Sequence, residues 1–145
     1  MSLPFSLFIR LFFILIVSVS CGSRSLEEFK EEGRAVTNTL TQQLQRLQTR
    51  EQLVSEAPKI KKLFNELIDI SIEANEFREY YSLEAPELTA QDHIASDRLR
   101  AQLTRLYKIE GCREIIEKCQ EESLHKLDAY QKRLSKKRES ITTHF

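Results

Sequence analysis

Apolar residues recur at three- and four-residue steps along most of this chain, and the phase of that recurrence divides it into tracts. Leu26, Phe29, Val36, Leu40, Leu44, Leu47 and Val54 fall within a band roughly 80° wide on a helical projection. So narrow a stripe suits a coiled-coil seam better than the broad face of a helix packed in a globule. Ser25 can cap this helix, and Glu27 and Glu28 fall in its first turn, where the helix dipole favours acids. Gly33 shares the stripe and either permits a close helix approach or weakens the helix.

A second helix is predicted from Ser55-Glu56-Ala57-Pro58, a cap followed by a proline tolerated in the first turn. Ile60, Leu63, Phe64, Leu67, Ile70, Ala74, Phe77 and Tyr81 line it, with Ile68 and Ile72 toward another side. That wide apolar face marks it as the core helix, with neighbours on two flanks. It ends before Pro86, because a residue preceding proline is pushed out of the α region. Thr89-Ala90-Gln91-Asp92, a variant capping box, opens a third tract whose pattern continues to about Arg138. A single helix of that length would be roughly 75 Å long. Its stripe changes course at Gly111, from Leu99, Leu103 and Leu106 to Cys112, Ile116, Cys119, Leu127, Tyr130 and Leu134. The two sets lie roughly a quarter turn apart, which predicts a kink or break at Gly111.

The expected fold is therefore all-α: a helical hairpin or small three-helix bundle with a long, kinked, coiled-coil-like C-terminal helix. The helical domain spans 26–138, and 139–145 is expected to be a flexible tail. Composition agrees, with three Gly, three Pro and no Trp in 145 residues rich in good helix formers. Basic and acidic residues number 22 each, so no net basic character points to nucleic acid. Lys132, Arg133, Lys136, Lys137 and Arg138 form a local basic end. They suit either the dipole of a helix C-terminus or an anionic lipid or acidic partner.

The N-terminus has a different character. Leu11 to Val19 is an apolar run broken only by Ser18, with Arg10 before it and no acid until Glu27. The run would cover roughly 14 Å as a helix, about half a bilayer core, which is signal-peptide length rather than spanning length. Extending it back through Leu3 would place Arg10 near the middle of the membrane, at about 2.5–3.5 kcal/mol. The residues that follow, Val17-Ser18-Val19-Ser20-Cys21-Gly22-Ser23, resemble the lipobox of bacterial lipoproteins. Ser18 departs from the pattern, standing three residues before the cysteine where that family usually has Leu.

The resemblance covers 1–22 and implies a signal peptide over 1–20, cleavage by the type II signal peptidase, and Cys21 as the lipidated first residue of the mature chain. It also implies fatty acid such as palmitate on that residue, with a linker over 21–25 holding the helical domain at a bacterial membrane. Gly22 in place of Asp is compatible with sorting to the outer membrane, facing the periplasm. From the residues alone, Cys21 could instead be an ordinary thiol after cleavage at Val19-Ser20, or the membrane edge of an uncleaved anchor.

Little else suggests chemistry. Glu122-Ser123-Leu124-His125 has the Glu-x-x-His spacing of di-iron carboxylate bundles, but no second copy occurs, and the stripe puts His125 on the water side. Cys112 and Cys119, two turns apart on one helix, are separated by about 10.5 Å of rise and cannot bridge each other. They are either small buried hydrophobes, partners in disulfides to a second copy, or redox-active thiols. His93 and His144 fall at a helix start and in the tail. No nucleophile elbow, phosphate-binding glycine loop or metal-spaced cysteine set is present. The sequence thus gives no reason to propose an enzyme, metal, cofactor or small-molecule substrate. It points to structural or protein-interaction work through helical faces, with a protein partner or self-association. The alternative is a helical periplasmic chaperone or cargo-binding module.

Overall fold

A computed structural model of the chain describes residues 24–142. The expected signal peptide, Cys21 and His144 lie outside the described residues. Four helices and no strand are found among those residues: α1 (Leu26–Arg46), α2 (Arg50–Tyr80), α3 (Ala90–Tyr107) and α4 (Cys112–Thr142). α1 and α2 form an antiparallel hairpin, with Phe29 against Phe77 and Gly33 facing Ile70. α3 packs on α1 and runs parallel to it, Asp92 meeting Arg34 and Arg105 meeting Leu44. α4 packs on α2, also parallel, Cys119 lying against Ala57 and Arg133 against Glu76. Contacts between α3 and α4 are sparse. The molecule is thus two helical hairpins side by side, with their turns, 47–49 and 108–111, at one end. The chain enters at Arg24 at the opposite end, where α2 finishes and α3 starts.

Helix starts follow local chemistry. Reciprocal capping boxes join Ser25 with Glu28, Thr49 with Gln52, and Thr89 with Asp92, each satisfying backbone donors that the helix leaves open. Ahead of α1, the guanidinium of Arg24 lies over the Phe29 ring, 4.6 Å from its centroid, where a hydrophobic staple would otherwise pack. α2 ends in a Schellman arrangement: the Leu83 N–H donates to the Arg78 carbonyl at 3.0 Å and the Ser82 N–H to that of Glu79. Ser82 occupies the left-handed position, φ 51°, where glycine is usual.

The break predicted at Gly111 is a full reversal. α3 stops at Tyr107, Gly111 takes φ +71°, and α4 returns alongside α2. The dihedral calls for glycine; a Cβ there would also meet the Arg50 side chain at 2.7 Å, but that side chain is exposed and free to swing aside. Gly33 is the opposite case: a methyl there would sit 3.8 Å from Ile70, in ordinary contact, so no close helix approach depends on it.

The first predicted boundary is corrected. The chain turns at 47–49, and Ser55 lies inside α2 rather than capping it. Pro58 consequently stands within the helix and cannot donate to the Val54 carbonyl. Val54, half exposed, leaves the stripe, and Leu53, fully buried, replaces it. α4 also continues to Thr142, beyond the boundary expected at 138. Its basic cluster therefore stands back from the last turn, which removes the dipole as its explanation.

The core runs along the seam between α1 and α2, with α2 covered by neighbours on two flanks as its wide apolar face requires. Packing is tightest near the turns, where Leu40, Leu44, Leu53, Ile60, Leu106, Cys112 and Ile116 are fully buried. Charges set register on the outside: α2 and α4 are laced by Lys61–Glu122, Asp69–Lys126, Glu76–Arg133 and Glu79–Lys137. Such exposed pairs contribute at most about 1 kcal/mol each, so they align the helices more than they hold them.

Asp92 fastens α3 to α1. Its carboxylate accepts from the Thr89 hydroxyl and backbone N–H, both at 2.7 Å, and lies 3.5 Å from Lys30 and 3.2 Å from Arg34. The Thr89 bonds first, then the two cations, hold its pKa at about 2, below the ordinary 3.8. A depressed acid contributes stability above its unfolded pKa and loses it as pH falls through the folded one. Asp92→Asn is therefore expected to flatten the decline of Tm with acidification over the window from about pH 4 to pH 2. Melts at pH 6 and pH 2 check this; equal acid sensitivity of the two proteins would show that Asp92 carries no such linkage.

Candidate functional site

Two surfaces distinguish themselves. The first is a groove between α2 and α4, with a volume of about 650 Å³. Val54, Ala57 and Pro58 line it from α2, and Ile115 and Cys119 from α4. It arises where small Ala57 faces Cys119, whose thiol lies 3.5 Å from the Ala57 carbonyl. Lys61, Lys118, Glu121, Glu122 and His125 stand around the apolar lining. The sequence pattern missed this surface because Val54 reads as a core position when α1 and α2 are taken as one stripe.

The Glu-x-x-His pair lies on the same groove. Glu122 is committed to Lys61 at 2.9 Å, and the hydrogen bond and charge of that ammonium lower its pKa. The same bond and charge raise the pKa of Lys61. His125 is exposed, on the side the stripe predicted. No cluster of three or more metal-ligating side chains occurs among the described residues. The arrangement is an apolar trough edged by charges of both signs.

Cys112 and Cys119 are free and both face the core. Burial pushes each thiol's pKa up, which keeps it protonated and slow to react. Cys112 is enclosed at the α3–α4 turn, whereas Cys119 has its edge on the groove. A bridge to a second copy through Cys112 would need α4 lifted from the hairpin.

The second surface is the end of the bundle where the chain enters. Phe29 stacks with Phe77 at 5.7 Å, Phe77 with Tyr81 at 4.6 Å, and Tyr81 with Tyr80 at 4.8 Å. This ladder climbs from buried Phe29 to Tyr80, which is 81% exposed. Leu83, just past Tyr81 in the connection from α2 to α3, is exposed as well, while Leu88 is exposed on the flank between α1 and α3, near Thr37 and Ser96. That connection is tied back by Lys30, whose ammonium donates to the Glu87 carbonyl at 3.1 Å. The basic end of α4 arrives here too. Arg133 and Lys137 find acidic partners on α2, while Lys132 and Lys136 make no ion pair among the described residues.

No helix among the described residues is long and apolar enough to cross a membrane. No family model, curated protein or solved structure matches the chain.

Proposed function

We propose that this chain is a lipid-anchored protein of a bacterial envelope, held through Cys21, whose helical body offers faces to a protein partner. The observation that carries the reading is the apolar run Leu11–Val19 ending in Ser20-Cys21, followed five residues later by the first helix of a folded body. Each buried methylene of an acyl chain contributes about 0.8 kcal/mol, so two or more chains on Cys21 would hold a small protein firmly at a bilayer. The periplasmic side, and the outer membrane in preference to the inner, follow from the lipobox resemblance and Gly22. The groove between α2 and α4 supplies an apolar contact face edged by both signs of charge.

Cys21→Ala is expected to abolish incorporation of labelled fatty acid and to move the protein out of the membrane fraction. A wild-type chain that takes up no label would overturn the anchor. The same groove also favours a second reading, a chaperone that shields apolar segments of a client. In that case Val54→Glu, a change at a half-exposed position, should remove suppression of aggregation in a light-scattering assay while leaving the melting curve nearly unchanged. Absence of suppression by the parent protein would dispose of this second reading.

A further inference from the structure

We infer that the end of the bundle carrying Tyr80, Tyr81 and Leu83 is seated on a phospholipid bilayer, with those side chains at the boundary between headgroups and acyl chains. The inference rests on the proposed Cys21 anchor and adds an orientation to it. Three peptide units separate Cys21 from Arg24, and an extended chain spans at most about 11 Å over that distance. Arg24 is fixed to this end by its ion pairs to Glu32 and Glu73 and by its place over Phe29. A lipid on Cys21 therefore brings this end, and not the end bearing the two turns, to the membrane surface.

The chemistry of the end suits that place. Tyrosine and leucine are exposed together here, and tyrosine's amphipathic ring favours the interface between water and hydrocarbon. The aromatic ladder holds Tyr80 and Tyr81 in place, so little side-chain freedom is lost on contact. Lys132 and Lys136, on α4, add positive charge suited to anionic headgroups. Glu84 and Glu87 lie in the same connection and keep the insertion shallow, at headgroup depth.

The chain contains no Trp, so a single introduced indole reports its own surroundings. Full-length acylated Tyr80→Trp and Leu83→Trp, and Glu110→Trp at the turn end as control, would be reconstituted into vesicles of phosphatidylethanolamine and phosphatidylglycerol. With lipid brominated on its acyl chains, the indoles of the first two variants should be quenched about twofold or more beyond that of the control, as expected for rings at the interface. Equal quenching of all three in protein that floats with the vesicles overturns the seating and leaves the anchor intact. A blue shift of the Tyr80→Trp emission without quenching also overturns it, since the face is then covered by protein, such as a second copy. Protein that fails to float overturns both readings. Quenching of the Tyr80→Trp indole that persists when Cys21→Ala is added supports the seating while removing the lipid as its cause.

Discussion

Leu53→Ala is expected to lower folding free energy by about 2–5 kcal/mol, whereas Val54→Ala, one residue on, stays within about 0.5 kcal/mol of the parent. The contrast follows from the turn at 47–49. Leu53 is fully buried in the first turns of α2 and belongs to the core cluster, while Val54 is half exposed on the wall of the groove. Truncating Leu53 removes its transfer free energy and leaves a cavity in the tightest part of the core. Truncating Val54 removes a few methyl contacts and places a better helix former on the surface. If α1 and α2 were one continuous helix, the order would reverse, with Val54 the sensitive position. Denaturant melts of the two variants, monitored by circular dichroism, decide the matter directly.

Arg105 should be the most sensitive polar position. Its guanidinium donates to the Leu47 carbonyl at 2.9 Å and to the Leu44 carbonyl at 2.8 Å, and its Nε donates to Gln102 at 2.9 Å. Both carbonyl acceptors are at the C-terminal end of α1, where carbonyls lack i+4 helical donors and carry partial negative charge; the Leu44 carbonyl also accepts the Leu47 N–H at 3.1 Å. One side chain thereby closes α1 and joins the two hairpins. Arg105→Met keeps most of the apolar stem and loses these bonds, and is expected to destabilise the fold by about 1.5–3 kcal/mol, the range for hydrogen bonds to charged groups. Arg105→Lys should recover only part of that loss, since an ammonium cannot reproduce the fork of a planar guanidinium. Full recovery with lysine would mean that charge alone, and not the paired geometry, closes α1.

Much of this architecture is readable before folding because each helix start has a local signal. Ser25, Thr89 and Gly111 mark their boundaries by capping chemistry or by a φ that side chains resist, and the structure uses all three. The turn at 47–49 escaped because two periodicities coincide there. Leu47 and Val54 lie seven residues apart, in helical phase, so the stripe crosses the turn without a visible step. The Thr49–Gln52 box that marks the start of α2 is a short polar pattern, easily outweighed by seven apolar residues in register. The pairing of helices was less legible still. Nothing local shows that α4 lies on α2, since the Asp69–Lys126 and Glu76–Arg133 matches are complementary only after the chain has reversed at Gly111. The exposed face at the entry end was hidden as well. Tyr81 continues the stripe of α2, yet α2 stops at Tyr80, and beyond its end the ring stays half open to solvent.

The length of α2 has a further consequence. Its 31 residues make a rod of about 46 Å, with the entry at one end and the two turns at the other. For a body standing on its entry end, the turns at 47–49 and 108–111 would be carried about that far above the lipid. Adding or removing whole helical turns in both hairpins would change that stand-off in steps of about 5.4 Å, making the bundle a ruler whose graduations are set by helix pitch.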